Sequence, residues 1–371
     1  MVAKVVNLEE EDNFLKFTIS NVNVSTINAI RRTILSEIPC IVFKTQPYTE
    51  NLVNILVNKS RLNNELIKQR ISCIPIHIND IANFPYNDYI VELDVINDTN
   101  SIIYATSGDF KIKNIYTKKY LEDAEVKKIF PPDKISGDYI DILRLRPKLS
   151  ANIDCEHIKL EAKLTVSNAN DDGAFNVVST CSYGNTIDNI KIKEEWEKKE
   201  LTLKEKELSK DEIEFIKKDW MLLDAKRFYI EDSFDFIIET LGIYNNFELI
   251  ELAASIIIKK LYVTLEKLKN DDSLIEDAID TLENCYLIIL ENEDYSIGKI
   301  IECSLYNKYF NDERKIDFVG FLKKHPHDKN SFIKISFKEF TTKEQIIIIL
   351  EHCINESILI LNSIKEYFKS D

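Results

Sequence analysis

The chain has 371 residues, too many for one ordinary hydrophobic core, and reads as two or three domains. Its 48 basic and 63 acidic residues leave a formal charge of −15. A nucleic-acid surface must be cationic to displace counterions, so bulk nucleic-acid binding by the whole chain is disfavoured. Only seven glycines occur, and the closest two, Gly173 and Gly184, lie eleven positions apart, which excludes a Walker-type loop and a G-x-G-x-x-G turn.

The seven cysteines are at least eighteen residues apart and form no C-x-x-C pair, so they read as reduced thiols of an intracellular protein. The start of the chain runs into Glu9-Glu10-Glu11-Asp12, which is not a signal-peptide pattern. The longest uninterrupted aliphatic run, residues 346–350, falls far short of the ~20 needed to span a bilayer. A soluble chain without membrane contact is expected.

Residues 13–20 alternate as a strand. A helix follows over 25–37, with Ser25 or Thr26 as N-cap, Ile27, Ile30, Ile34 and Ile38 on one face, and Pro39 as its stop. Between 45 and 185 the pattern turns to short strands. Residues 89–96 and 101–106 flank Asn97-Asp98-Thr99-Asn100, and residues 158–166 and 175–182 flank 168–173, which predicts two hairpins. The stretch 191–220 carries nine lysines and ten acids and reads as an exposed helical connector. A strand over 228–239 and a helix over 247–269 come next, the helix with an apolar stripe through Leu249, Ala253, Ile256, Ile257 and Leu261.

Residues 270–294 hold nine acids and no lysine or arginine, an uncompensated negative stretch that marks a domain boundary near 270–280. Beyond it come a strand at 285–290, a helix from Ser296, strands near 317–322 and 331–337, and a long helix. Thr341-x-x-Glu344 fits a capping box for that helix, whose stripe includes Ile354 and Ile358. The strand–helix–strand–helix plan thus occurs twice. Laying Ser25 on Ser296 aligns Ile30 with Ile301 and Ile34 with Leu305. Two such layers with uncovered helical faces would cover each other.

Three other patterns carry possible chemistry. Asn168-x-Asn170-x-Asp172-Gly173 begins like a calcium loop, but Ser179 stands where that loop needs glutamate, so it reads as a hairpin turn. His325-Pro326-His327 offers two metal ligands without a third. Carboxylate pairs such as Asp138/Asp141 or Glu231/Asp235 would serve a hydrolase, yet no histidine or lysine accompanies them. A scaffold unrelated to any of these remains a further reading.

The stretch Ser25-Thr26-Ile27-Asn28-Ala29-Ile30-Arg31-Arg32-Thr33-Ile34-Leu35-Ser36-Glu37-Ile38-Pro39 resembles the first-helix motif of the α-like subunits of multisubunit RNA polymerase. That group comprises the bacterial α amino-terminal domain, its archaeal D-type equivalent and the third subunit of polymerase II. Val57-Asn58-Lys59-Ser60 and Glu65 to Ile76 are similar to the segment that follows it there. The C-terminal part resembles the smaller partner, the archaeal L-type protein or the eleventh subunit of polymerase II. Glu293-Asp294-Tyr295-Ser296-Ile297-Gly298 fits its Glu-Asp-His-Thr-Leu-Gly signature, with Tyr295 replacing histidine, and Gly320 to Pro326 fits its His-Pro loop. The first-half motif has Ile27 where relatives often carry a small residue, and no cysteine lies between Ile78 and Asp154, where relatives often hold a metal-binding cluster.

The resemblance implies two normally separate subunits fused in one chain, an arrangement known from large DNA viruses. The implied fold is α+β: two α-amino-terminal-domain-like dimerisation domains packed intramolecularly through helices, with an inserted β-rich domain. Residues 1–45 and 225–270 would form the first dimerisation domain, 46–185 the insert, 186–224 the connector and 275–371 the second dimerisation domain. The implied role is a non-catalytic assembly platform with no cofactor and no metal. Its partners would be the large polymerase subunits, above all the second-largest, and small zinc-bearing subunits, with no homo-oligomer. Location would be intracellular, and for a virus the host cytoplasm and the virion. Adjacent helical residues diverge by about 100°, so Arg31 and Arg32 cannot both serve one seam. From the residues alone they could be solvated charges. The resemblance favours Asn28, Arg31 and Arg32 as contacts to the second-largest subunit. It assigns Ile27, Ile30, Ile34, Ile256, Ile257, Ile301, Leu305, Ile354 and Ile358 to the intramolecular interface, and gives the His-Pro loop a packing role.

Overall fold

The computed structural model describes residues 2–148, 154–206, 208–278 and 282–369. Asp280 of the acidic stretch and Glu207 of the connector lie outside the described residues. The chain divides into two compact units. One comprises Met1–Arg32, Thr180–Glu239 and Ile250–Asp371, and the other Thr33–Ser179 and Thr240–Leu249.

The first unit opens with a hairpin of which the alternating pattern reveals only one strand. Strand β1 (Lys4–Glu11) contains most of the acidic run and pairs antiparallel with β2 (Phe14–Ser20). Asp12 takes a left-handed φ of 52° in the tight turn between them. Acidic side chains suit β1 because it is the sheet's edge, where charge discourages pairing with another chain. Helix α1 (Val24–Ser36) follows. Its cap is neither Ser25 nor Thr26 but Asn23, whose Oδ1 accepts the Ser25 N–H at 2.6 Å.

In the second unit β3 (Cys40–Val42), β4 (Val53–Asn58) and α2 (Asn64–Ser72) come first. They are followed by β5 (Tyr89–Asn97), β6 (Ile103–Thr106), β7 (Lys111–Asn114), α3 (Asp123–Ile129), β8 (Asp141–Leu145), β9 (Glu156–Lys163) and β10 (Thr165–Ser167). A four-stranded sheet has the order β4-β9-β5-β7, while β6 pairs with β8 and β10 with β3. Its core joins Ile67 and Ile71 of α2 to Val91, Leu93 and Leu160, with Phe43, Phe110 and Phe130 in ring contact. Residues 79–88 form a short loop held by the Phe84 ring on Tyr89, with centroids 5.4 Å apart.

Neither predicted hairpin forms. The buried Asn97 amide donates to the Ser101 and Leu145 carbonyls at 2.8 and 2.9 Å, and β5 pairs with β9 and β7 instead of β6. Residues 168–173 turn the chain from β10 toward β11 (Val178–Ile187), which takes its place beside a later strand. Asx-rich turn chemistry sets a local reversal, but partner choice is decided by which strand buries the opposite face.

Helices α4 (Asn189–Glu205) and α5 (Lys210–Leu222) then form the connector. The connector is helical but not merely exposed: Trp196 and Trp220 are buried against each other with ring centroids 5.4 Å apart. Lys199 and Lys217 lie over these rings, which turns part of the charge run into cation–π cover. Strand β12 (Tyr229–Thr240) and helix α6 (Asn246–Asn270) follow. The chain ends with β13 (Ile275–Asp277), β14 (Cys285–Leu290), α7 (Tyr295–Leu305) with a π turn over Tyr306–Asp312, β15 (Ile316–Leu322), β16 (Ser331–Phe337) and α8 (Lys343–Tyr367).

Two sheets of this unit have the orders β1-β2-β12-β11 and β13-β14-β16-β15. Renumbered within each half, both read first-second-fourth-third, with a helix after the second strand and another after the fourth. The capping box of α8 sits one residue later than the Thr341-x-x-Glu344 pattern suggests, on Thr342 and Gln345. By length and composition alone, α8 could cross a membrane. Its apolar stripe through Ile346, Leu350, Ile354, Ile358, Leu361 and Ile364 is nonetheless buried within the unit.

Candidate assembly interface

Helix α1 carries the residues singled out in sequence. Ile27 and Ile30 are buried, Asn28 and Arg31 are half-buried, and Arg32 is exposed. Ile34 is also buried, beyond the point where the chain passes into the second unit. Arg31 donates its Nε and Nη2 to Asn28 Oδ1 at 3.2 and 3.0 Å, an i,i+3 contact that lays the guanidinium along the helix. It also weakly opposes the burial that pushes the Cys181 thiol up to about 12.

Arg32 points elsewhere, as the helical angle requires. Its Nη2 donates to Asp294 Oδ2 at 2.9 Å, while Asp294 Oδ1 accepts the Ser296 N–H at 2.9 Å and so caps α7. One carboxylate closes an orphan donor of α7 and holds a guanidinium from α1. The two side chains are 43% and 34% exposed, so the ion pair itself is worth only about 0.2–1 kcal/mol.

The last three acids of the 270–294 stretch are therefore compensated in space, which the run of uncompensated charge in sequence does not suggest. Besides Asp294, Glu291 meets Lys267 at 3.2 Å and Glu293 meets Lys260 at 3.8 Å. Lys260 and Lys267 are two helical turns apart and share one face of α6. Two more pairs, Lys269–Glu351 at 2.6 Å and Lys365–Glu251 at 3.4 Å, tie α6 to α8 and run the helices antiparallel. The Asn23 amide donates to the Cys303 sulfur, so both ends of α1's first-unit portion touch the α7 region.

Ile257, Ile301, Leu305, Ile354 and Ile358 are buried in the same unit, and Ile256 is half-buried. Phe17 of β2 stacks on Phe236 of β12 at 5.2 Å and meets Phe368, just past α8, at 4.9 Å. Burying each large apolar side chain is worth roughly 1.5–3 kcal/mol, so apolar packing outweighs the ion pairs here.

The two C-terminal signatures meet physically. A Cβ on Gly298 would overlap the Phe321 ring, and Tyr295 packs edge-on against that ring at 5.0 Å. Glu302 accepts the Phe321 N–H at 3.1 Å. The signature thus packs through Phe321, while its tip at His325, Pro326 and His327 is exposed, the two rings 5.2 Å apart. Among the described residues no group of three or more His, Cys, Asp or Glu could hold a metal ion. Of the candidate carboxylates, Asp235 accepts from Thr18 and Thr186 at 2.8 and 3.0 Å, a sheet-face acceptor between strands, while Asp138 and Asp141 are exposed.

Sequence reasoning missed Asp294, Lys260 and Lys267 as interface residues. Asp294 was legible as a cap, because it stands two residues before Ser296 at the head of an apolar helix. The lysines carried no such signal. Only the fold brings them opposite the acids.

Residues 16–261 match the family described as RNA polymerase Rpb3/Rpb11 dimerisation domain. The DNA-directed RNA polymerase subunit Rpo3 of Pyrococcus furiosus is 30% identical over 128 residues, 33% of this chain and 42% of that protein. Rpo3 of Thermococcus kodakarensis is 33% identical over 108 residues, 28% and 38% of the two chains. The DNA-directed RNA polymerases IV and V subunit 3B of Arabidopsis thaliana is 41% identical over 68 residues, 18% and 19% of the two chains. The matched stretches span less than half the length of these relatives. The family match ends at residue 261, before the second of the two sheets begins.

Proposed function

The chain belongs to the RNA polymerase Rpb3/Rpb11 dimerisation-domain family, and on that premise we propose that it is a non-catalytic assembly subunit of a DNA-directed RNA polymerase. In this reading residues 275–371 replace a separate eleventh-subunit-like partner, and the chain contains both halves of an α-like pair. The observation that carries the reading is the shared strand order of the two sheets within one compact unit. The ion pairs between α6 and the second half, and the Arg32–Asp294 bridge, support it. Tethering raises the partner's effective concentration to roughly the millimolar range, so pairing needs no encounter with a free subunit.

The proposed partners are the large polymerase subunits, with the second-largest meeting the α1 face that bears Asn28 and Arg31, and small zinc-bearing subunits docking elsewhere. A viral source and a cytoplasmic location extend this proposal and rest on the sequence resemblance alone. Arg32→Glu would set a second carboxylate against Asp294 and disturb folding and capture together, so Arg31→Glu is the cleaner probe. With far-UV circular dichroism unchanged, Arg31→Glu should lower capture of the second-largest subunit about tenfold, some 1.4 kcal/mol. Undiminished capture contradicts the assigned face.

A further inference from the structure

The two repeats can be laid on each other at their helix caps. Asn245 Oδ1 accepts the Glu248 N–H at 2.8 Å and Glu248 Oε2 accepts the Asn245 N–H at 3.0 Å. Thr342 and Gln345 make the same reciprocal pair at the start of α8. Helices α6 and α8 are both 25 residues long. In each repeat the residue after the fourth strand donates its N–H to the carbonyl just before the third: Leu241 to Val177 and Lys338 to Lys315, both at 3.1 Å.

In this register Ile243 corresponds to Phe340. Ile243 is 6% exposed, whereas Phe340 is 77% exposed. The loop holding Ile243 belongs to the second unit, where its neighbours Gly242 and Tyr244 meet other residues of that unit. There the His77 ring lies 3.3 Å from where a Cβ on Gly242 would be, and Tyr244 donates its hydroxyl to the Pro39 carbonyl at 2.7 Å. His77 belongs to a stretch, residues 75–80, without helix or strand. The second repeat has no insert. Only Glu313, Arg314 and Lys315 separate its π turn from β15.

A groove of about 510 Å³ opens there, lined by Phe340, Thr341, Ile348 and Ile349 with Arg314 and Lys338 at its rim. Ile348 is 63% exposed. Lys315 is paired with Glu313 at 2.6 Å, and Glu339 also stands at the rim. The side chains of Arg314 and Lys338 have no hydrogen-bond or ion-pair partner among the described residues. Two unneutralised cations beside an apolar floor stand out in a chain of net charge −15.

We propose that this groove docks an apolar segment of a separate protein chain, one that carries acidic residues beside its apolar side chains. Such a segment would cover Phe340 as the stretch through His77 lies against the loop of Ile243, and its carboxylates would meet Arg314 and Lys338. The inference rests on the internal repeat and not on the transcription reading.

Two fluorescein-labelled peptides test it on the full chain. Both have an Ile-Pro-Ile core, one flanked by aspartate pairs and the other by lysine pairs. Saturable binding of the aspartate peptide is expected, at least about tenfold tighter than its lysine twin. Phe340→Asp and Lys338→Glu should each weaken it about fivefold or more with no change in Tm, since both side chains are on the surface. The proposal is overturned by equal binding of the two peptides, by no saturable binding up to about 1 mM, or by indifference to Phe340→Asp. Self-association in sedimentation that Phe340→Asp abolishes would assign the groove to a second copy and overturn it as well.

Discussion

Gly298 shows how one missing side chain can fix a local fold. The Phe321 ring occupies the space where its Cβ would stand, and Tyr295 closes the ring's edge. Gly298→Ala gains up to about 1 kcal/mol of helix propensity but forces the ring out, so a net loss of about 1–3 kcal/mol is expected. Thermal melts of the single variant and of Gly298→Ala with Phe321→Ala check this. The double variant should lose less than the sum of the two singles, and strict additivity would contradict the contact. Elsewhere the scarcity of glycine has a simple consequence. Among the described glycines only Gly137 and Gly242 use a positive φ, while six Asn and Asp residues (Asn7, Asp12, Asn21, Asp232, Asn284 and Asn292), with Lys118 and Arg314, fill left-handed positions instead.

His77 is the residue whose titration the fold alters. Burial pushes it below its ordinary value, against the Ile129 and Leu241 carbonyls that favour the proton. The unfolded chain takes up that proton near the ordinary ~6.5, and the folded chain does so only at lower pH. Stability contributed by neutral His77 is therefore present above about pH 6.5 and declines as the pH falls through that value. His77→Gln should flatten this part of the acid dependence in urea midpoints between pH 7.5 and 5.5. An unchanged slope would contradict it.

At the scale of elements, caps and buried pairs decide more than charge counts. Asp294→Ala removes both the α7 cap and the partner of Arg32, whereas Asp294→Asn keeps a good cap and loses only the charge. The alanine variant should be the less stable by about 0.5–2 kcal/mol in urea unfolding. Equal midpoints would mean that the cap contributes nothing. In the α4–α5 connector the chain's only two tryptophans pack on each other, so tryptophan fluorescence reports on that hairpin alone. Trp196→Ala should cost about 3–5 kcal/mol locally, red-shift Trp220 emission and leave most far-UV ellipticity intact.

Elements with a strong period are legible in the amino-acid pattern. The strands at 285–290 and 331–337 and the helices at 247–269 and 25–37 fall within a residue or two of their observed bounds. The acidic β1 is hidden because its alternation is masked by charge on a solvent-facing edge. Asn97 and the 168–173 turn look like hairpin loops because turn chemistry is local, while β6 pairs with β8 and β5 with β9 across 35 to 73 residues. Helix α1 is legible as an element, and the structure pairs its Arg32 with Asp294 within the chain. The Asp294 bridge is not legible, because nothing in sequence pairs residues 262 positions apart.

Over the whole molecule, the charge of −15 is partly organised. The last acids before α7 face Arg32, Lys260 and Lys267, which belong to the other half of the same compact unit. The fusion proposed above predicts that the isolated chain is a monomer. The sharpest test is native mass spectrometry of the polymerase purified through a tag on this chain. The account predicts one copy of the chain with one copy of each of the two largest subunits, and no separate small α-like chain. Two copies of the chain in one complex, or a separate eleventh-subunit-like protein beside it, would contradict it.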